Sequence, residues 1–374
     1  MCIRDRILRD IGGGSKAIQG RMSEIELGET TMKRVRLLVV LILLLAAVGC
    51  TPVSNTARVL KAALTNRVEV MSFNIFHDAS SDARDLPGWS GRTDLVIRTI
   101  GLNDPDVVGL QEAYIWQVEE LVAALPRYDY FGAGRNDGGR SGESVAILYR
   151  KDRFELNESG HFWFSETPDN ASKGGDSWGN IDPPRMTTWV RLLEKSTGKG
   201  FYVYNLHLNH NGGADDPDLA RWRSVLLLTE RINERSHDDY FIITGDFNAT
   251  EDSAPIQYLK GGVCHPPNSA VCVYTSSPVP VIDAFRELHP DSQSGTRCSN
   301  KNEDTGKRID YIFVWRGPQD TQPGSGLCAS DAGCQGPDLM EAEIVGKTRE
   351  GCPSDHKAVR AVFGLPLGGE QSLP

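Results

Sequence analysis

The chain lacks the motifs of several common enzyme chemistries. It carries no nucleophilic Ser or Cys motif and no His-x-x-x-His pair, and none of its 8 cysteines lies in a Cys-x-x-Cys pattern. Gly132-Ala-Gly134 is followed by no helical pattern, so it does not predict a dinucleotide-binding loop. These absences argue against covalent acyl transfer, a zinc or thiol redox site and a nicotinamide enzyme.

Basic charge is also scarce. Residues 1–50 hold 8 of the 40 basic and 5 of the 50 acidic side chains, so 32 basic and 45 acidic side chains remain after them. Proteins that grip long nucleic acids usually present a basic face, because phosphate neutralisation supplies most of the affinity. The acidic balance therefore argues against a tight nonspecific DNA binder.

No apolar run reaches the roughly 20 residues of a transmembrane helix. Residues 1–31 are interpreted as a non-native or mis-assigned extension, and residues 32–50 as a signal peptide with the apolar core Leu37–Val48. The small residues before Cys50 resemble a bacterial lipoprotein signal, which would leave Cys50 lipidated at the new N-terminus. We expect an exported protein, lipid-anchored in the outer membrane or periplasm; an ordinary signal peptide or an uncleaved anchor is the alternative.

The remaining cysteines are even in number, which in an exported chain predicts disulfides with fifteen connectivities open for six cysteines. They are Cys264, Cys272, Cys298, Cys328, Cys334 and Cys352. Proximity along the chain favours pairing the first two with each other and the fourth with the fifth. Cys298–Cys352 would then join the loop before Asp310 to the loop before Asp355.

Polar residues recur where short apolar β-type runs end. Ile242–Asn248 presents Asp246 and Asn248 on one face, because strand residues two apart point the same way. A lone Asn or Asp in such a place is more often a turn former. Six segments together indicate a metal and phosphate site instead; the others carry Asn74, Glu112, Asn205 with His207, Asp310, and Asp355 with His356.

These segments resemble the ordered motifs of the endonuclease/exonuclease/phosphatase superfamily from about Val68 to Phe363. The matching residues are Phe73-Asn74-Ile75, Leu110-Gln111-Glu112, Gly142-Glu143-Ser144, Asn205-Leu206-His207-Leu208, Gly245-Asp246-Phe247-Asn248, Arg308-Ile309-Asp310-Tyr311-Ile312 and Ser354-Asp355-His356. The resemblance implies an α/β fold like that of deoxyribonuclease I, a four-layer α-β-β-α sandwich with two packed mixed sheets flanked by helices. We expect one such domain at 68–365, a tether at 51–67 and a disordered tail at 366–374.

The resemblance also implies a metal site. Asn74 and Glu112 would be the main ligands, with Asp355 and Asp246 completing or extending the site. Oxygen ligands of this kind favour Mg²⁺, or Mn²⁺ or Ca²⁺, over zinc. Asp246 would activate the attacking water or handle the leaving-group proton, and Asn248 would donate its amide hydrogens to the phosphate.

Two His–carboxylate pairs are implied as well. His356 would pair with Asp310, and Glu143 with His207, which would place two cationic imidazoles beside one phosphate. Which group is base and which is acid stays open. Arg185 is interpreted either as a phosphate contact or as a buried ion pair.

The predicted function is a metal-dependent phosphodiester hydrolase at the cell envelope, acting as a monomer. The Glu143–His207 pair favours a nuclease for extracellular DNA or RNA, which we place first. The acidic balance favours smaller substrates, so a phospholipid (sphingomyelinase-like) or a sugar or inositol phosphate is the alternative. A non-catalytic envelope binding protein is the alternative of another class.

Overall fold

The polar strand ends belong to two β-sheets. The structure, a computed structural model, describes residues 67–81, 85–171, 183–210, 217–235, 239–261, 277–301, 306–315 and 337–364. The strands are β1 (Arg67–Asn74), β2 (Val107–Gln111), β3 (Ala113–Tyr114), β4 (Tyr128–Phe131), β5 (Glu143–Ser144), β6 (Ile147–Arg150), β7 (Phe154–Trp163), β8 (Met186–Glu194), β9 (Gly200–His207), β10 (Phe241–Asp246), β11 (Val281–Asp283), β12 (Asp310–Trp315), β13 (Asp338–Val345) and β14 (Ala358–Gly364). The helices are α1 (Thr93–Asn103), α2 (Ile115–Ala124), α3 (Pro217–Glu234), α4 (Ala254–Leu259) and α5 (Ala284–Leu288).

Both large sheets are mixed. The first has the strand order β13-β14-β1-β2-β6-β4 and the second the order β11-β12-β10-β9-β8-β7. Within each, one pair is parallel, β1 with β2 and β9 with β10, and the other neighbours are antiparallel. The predicted pair of mixed sheets is therefore confirmed.

The helices cover the outer faces of the sheets. Val96 of α1 and Val118 of α2 pack in one apolar cluster with the first sheet, and Val225 of α3 packs in the cluster of the second sheet. Apolar residues three or four apart along these helices form the buried stripe of an amphipathic helix. The layers therefore run helix, sheet, sheet, helix, as predicted.

The two sheets approach each other closely at Gly109. A Cβ atom there would lie 2.2 Å from Thr244 Oγ1 and 2.6 Å from Asn205 Oδ1. Asn205 donates through Nδ2 to the carbonyl of Leu110 at 2.7 Å, and its Oδ1 accepts from Gln111 Nε2 at 2.6 Å. Asn205, one of the polar residues of the predicted motifs, thus joins the sheets inside the core.

The predicted N-terminal signal and Cys50 lie outside the described residues, as do the predicted C-terminal tail and four of the paired cysteines. β1 begins at Arg67, the last residue of the predicted tether. No helix in the described part of the chain is both long and apolar enough to cross a bilayer.

Candidate active site

The ends of several strands from both sheets meet at one edge of the core. In the second sheet Asp246 is in register with His207 on β9 and with Asp310 on β12, so three site residues lie side by side. In the first sheet Asn74 ends β1, and Glu112 follows directly after β2. Because the two parallel pairs end at the same edge, residues far apart in sequence converge.

Asn74 joins carboxylates from the two sheets. Its Nδ2 donates to Glu112 Oε1 and to Asp246 Oδ2, both at 3.0 Å. Its Oδ1 accepts from the N–H of Phe76 at 3.0 Å, which fixes the orientation of the carboxamide. Asn74, Glu112 and Asp246 therefore converge as the sequence predicts, and their roles as ligands stay predictions.

The two carboxylates differ in their electrostatic surroundings. Burial raises the pKa of Asp246 to about 6, and the neighbouring Asp310 adds to the rise. Burial opposes the ionisation of Glu112, but its hydrogen bonds with His77 and Asn74 and the nearby imidazolium of His356 outweigh burial and hold its pKa well below the ordinary value. Glu112 is therefore a fixed anion, and Asp246 titrates just below neutral pH.

This cluster fits a divalent cation. Ligand atoms of Glu112, His207 and Asp246 all lie within 4.8 Å of one another, and carboxylate oxygens dominate the set. Such donors suit Mg²⁺, Mn²⁺ or Ca²⁺. The electrostatic cost of ionising the buried Asp246 would also fall beside a cation. Asp355 belongs to no such cluster among the described residues, and its ligand role stays a prediction.

His356 is held by Asp310. Its Nδ1 lies 3.0 and 2.8 Å from the two oxygens of Asp310, and its Nε2 lies 3.7 Å from Asp246 Oδ2. Burial lowers the pKa of His356, but Asp310, Asp355 and Asp246 together outweigh burial and raise it to about 9. The imidazolium is therefore favoured at neutral pH, which agrees with the predicted pair.

His207 differs from the prediction. Burial lowers its pKa well below the ordinary value, and Arg185 lowers it further, so this imidazole is neutral at neutral pH. Its Nε2 lies 3.0 Å from Asn248 Nδ2, and so accepts from it, and 3.6 Å from Asp246 Oδ2. The expectation of two cationic imidazoles is wrong, because burial of His207 outweighs the nearby Glu112 and no carboxylate of the described residues forms a hydrogen bond with it.

The predicted pairing of Glu143 with His207 is also wrong. Glu143 Oε1 instead accepts from Arg135 Nη2 at 2.7 Å and lies 3.9 Å from His77 Nδ1. β5 places Glu143 opposite Tyr114, and Arg135 lies on the neighbouring loop. The guanidinium of Arg135 therefore pairs with the Glu143 carboxylate that the resemblance assigned to His207.

Sequence reasoning missed Arg297 and left Arg185 open. Arg297 Nη1 lies 3.1 Å from Asp355 Oδ2 and 2.6 Å from His356 Nε2. Protonation of Nε2 requires Arg297 to shift, and an anion between the two cationic groups would relieve their repulsion. The one sequence signal for Arg297 is its position beside Cys298.

Arg185 is a buried cation at the same site. Its Nε and Nη1 atoms have no hydrogen-bond partner among the described residues, and Nη2 contacts His210 Nδ1 at 3.0 Å. Burial lowers its pKa to about 10, with Arg135 contributing, so it stays charged at neutral pH. Buried polar atoms without partners are rare, and these two nitrogens are available to donate hydrogen bonds. Its position beside His207 and Glu143 suits a phosphate oxygen.

Three non-glycine residues of the site have left-handed backbone. They are Phe76 at φ 54°, Glu112 at φ 59° and Asn248 at φ 48°. For Phe and Glu this conformation costs of order 1–3 kcal/mol, and such strain collects at functional sites. Buried Arg92 donates to the carbonyls of Ile75, Phe76 and His77 and so holds the first of these turns in place.

A disulfide supports the loops that carry His356 and Arg297. Cys298 is bonded to Cys352, which confirms that pairing, and the Cys298 N–H donates to the carbonyl of Asp355 at 2.8 Å. The bond therefore links two loops whose side chains meet at the site.

A polar cavity of about 550 Å³ opens beside Asn248 and Arg297. Its lining includes Arg221, Asp252, Ser253 and Lys307. Donors and acceptors therefore surround the space next to the phosphate-type groups.

Comparison with known proteins agrees with this geometry. A family model described as Endonuclease/Exonuclease/phosphatase family matches residues 71–356. A mannosyl-6-phosphatase of Bacteroides thetaiotaomicron is 30% identical, with a TM-score of 0.60 over 79% of this chain and 98% of that one. A second protein of that organism, described as an endonuclease/exonuclease/phosphatase family protein, is 29% identical, with a TM-score of 0.61 over 80% and 98%. An uncharacterised protein of Acanthamoeba polyphaga mimivirus is 31% identical over 52% of this chain and 71% of its own length. The chain belongs to the endonuclease/exonuclease/phosphatase family and is a phosphoric ester hydrolase of that type.

Proposed function

We propose that the protein is a divalent-metal-dependent phosphatase that removes a terminal phosphate from a phosphorylated sugar. The polar cavity of about 550 Å³ beside Asn248 carries this proposal. Its volume lies within the roughly 300–1,000 Å³ of small-ligand sites. Ala249 and Ile309 are the apolar side chains of its described lining, and the other lining side chains carry hydroxyl, carboxylate, carboxamide, imidazole, ammonium or guanidinium groups. Such walls match the hydroxyl groups of a sugar.

The same lining argues against the predicted nuclease and phospholipid substrates. Single-stranded nucleic acids bind on aromatic side chains along a basic groove, and the described residues that line this cavity include no Phe, Tyr or Trp. A lipid chain would require apolar walls. The mannosyl-6-phosphatase among the similar structures supports a sugar phosphate substrate, which was one of the alternatives predicted from the sequence.

The cationic groups favour a terminal phosphate. A phosphate monoester carries about −1.5 to −2 charges at pH 7, whereas a diester carries one. Arg185 offers two nitrogens that have no hydrogen-bond partner in the described part of the chain, Arg297 and His356 form a close cationic pair, and Lys307 lines the cavity. This charge suits the more negative substrate.

Each residue of the site has a different role in the proposed reaction. Asp246, ionised above pH 6, accepts a proton from the attacking water as its oxygen bonds to phosphorus. The bond from phosphorus to the sugar oxygen breaks, and protonated His356 returns a proton to that oxygen. Asn248 and Arg185 hold the phosphate oxygens. A metal on Glu112 would supply Lewis-acid stabilisation of the phosphate.

Export is part of the proposal. The Cys298–Cys352 disulfide supports an oxidising compartment. The predicted lipid anchor at Cys50 stays a prediction.

The test measures phosphate release by the purified chain from mannose-6-phosphate and glucose-6-phosphate, with Mg²⁺, Mn²⁺, Ca²⁺ or a chelator. Plasmid DNA, RNA and sphingomyelin are assayed in parallel. Metal-dependent phosphate release that Asp246→Asn loses is the expected result. Cleavage of nucleic acid or lipid without release from either sugar phosphate would refute the proposal.

Arg185→Lys tests the phosphate contact. We expect its KM for the sugar phosphate to rise about 10- to 100-fold, as for loss of a charged hydrogen bond. The exposed Arg98→Lys, whose partner is Glu350, is the matched control and should leave KM unchanged.

A further inference from the structure

An aromatic platform begins directly after the site. Tyr114 and Trp116 stack with ring centroids 6.4 Å apart and an interplanar angle of 11°. Trp116 is 43% exposed, and no other aromatic side chain of the described residues is exposed to this extent. A large exposed aromatic face beside a catalytic site indicates a binding function.

The platform is continuous with the catalytic groups. The edge of the Tyr114 ring meets His77, with centroids 6.3 Å apart at 83°, and His77 Nδ1 lies 3.0 Å from Glu112 Oε2. Two ring-to-ring steps therefore separate Trp116 from the imidazole that contacts the predicted metal ligand. The aromatic rings therefore form a continuous path from the site to the exposed face of Trp116.

The platform is held in place by buried groups. Trp116 packs edge-on against buried Trp89 at 6.5 Å, and Trp89 Nε1 donates to Glu120 at 2.7 Å. Arg92 lies 5.3 Å from the Trp89 ring. A preorganised aromatic face loses little conformational entropy when a ligand binds.

The charge around the platform selects the ligand. Glu119 and Glu120 lie three and four residues after Trp116 on α2, and so on the same side of the helix. Glu119 pairs with Arg140 through two contacts of 2.7 Å. The two carboxylates outnumber the one guanidinium, so this surface has a net negative charge that repels a nucleic acid strand. The carboxylates can accept hydrogen bonds from sugar hydroxyl groups, and the guanidinium can donate to them.

We propose that Tyr114 and Trp116 form a subsite for a neutral pyranose ring of an oligosaccharide whose neighbouring ring carries the phosphate. The C–H face of the pyranose packs on the negative face of the aromatic rings. This inference rests on the proposed function for the identity of the reaction, but the binding step is measurable without turnover.

The first experiment is calorimetric titration of the intact protein with mannotriose, cellotriose and maltotriose, none of which carries a phosphate. We expect at least one to bind, with a dissociation constant about 5- to 10-fold higher in Trp116→Ala and an intermediate value in Trp116→Phe. Leu102→Ala, a change at an exposed apolar residue of α1, should leave binding unaltered. The subsite is refuted if none of the three sugars binds, or if a sugar binds with the same dissociation constant in Trp116→Ala as in the unchanged protein.

The second experiment separates this inference from the proposed function. KM is compared for mannose-6-phosphate and for mannobiose phosphorylated at O6 of one ring. Trp116→Ala should raise KM for the disaccharide alone, and an equal effect on both substrates would refute the subsite. If neither substrate is hydrolysed but a trisaccharide binds through Trp116, the proposed function fails and the subsite stands. Binding of a hexadeoxynucleotide through Trp116, without sugar binding, would overturn the assignment of the occupant.

Discussion

Removal of the Cys298–Cys352 disulfide should cost about 4 kcal/mol of unfolding free energy. The bond joins residues 54 positions apart, and the chain-entropy relation gives about 4 kcal/mol for a loop of that length. The change is the double substitution Cys298→Ser with Cys352→Ser, which leaves the other cysteines in place. For a domain of this size we expect the midpoint of thermal unfolding to fall by roughly 6 °C.

Activity should fall more than stability alone explains. Arg297 immediately precedes Cys298, and the Cys298 N–H donates to the carbonyl of Asp355, so the freed loop would loosen both Arg297 and His356. Urea unfolding gives the free energy, and kcat on mannose-6-phosphate at 15 °C, where the variant stays folded, gives the activity. A loss of less than about 1 kcal/mol would refute the loop-entropy reasoning. An unchanged kcat would show that the disulfide does not position the loop.

Two further predictions concern the site and the core. The pKa of His356 is raised to about 9, so the proposed acid stays protonated below that value and kcat/KM should fall as pH rises through about 9. Asp310→Asn should move this fall to lower pH in a pH–rate profile, and an unmoved profile would contradict the pairing. Gly109→Ala should lower the free energy of unfolding by about 1–3 kcal/mol in urea, because its Cβ would lie 2.2 Å from Thr244 Oγ1. Gly346→Ala, which meets nothing within 4 Å, is the control, and equal effects of the two would refute the close approach.

The fold was predictable because its signals are local and repeated. Apolar residues at helical spacing predict helices over Asp94–Asn103, Tyr114–Leu125 and Asp218–Arg235, and α1, α2 and α3 begin and end within one residue of these bounds. The order of the polar strand ends predicted that Asn74, Glu112 and Asp246 would converge, and they do so around the Asn74 carboxamide.

The features of the site that could not be predicted from the sequence depend on contacts between loops that are distant along the chain. Glu143 pairs with Arg135 because β5 and its loop bring that guanidinium nearer than His207, which no spacing in the sequence reveals. The charge state of His207 depends on complete burial beside Arg185, a property of the folded core. Arg297 reaches His356 through a loop of no recognisable motif.

The hydrogen bonds of Asn205 across the two sheets have a consequence for how activity is lost. Each sheet holds only half of the catalytic groups, with Asn74 on one and Asp246 on the other. The hydrogen bonds of Asn205 and Gln111 hold one sheet in a fixed position against the other. The catalytic groups of the two sheets therefore come together only while these buried hydrogen bonds are intact. A partly folded chain with only one of the two sheets formed would be inactive. Turnover therefore measures the fraction of molecules in which both sheets are packed together.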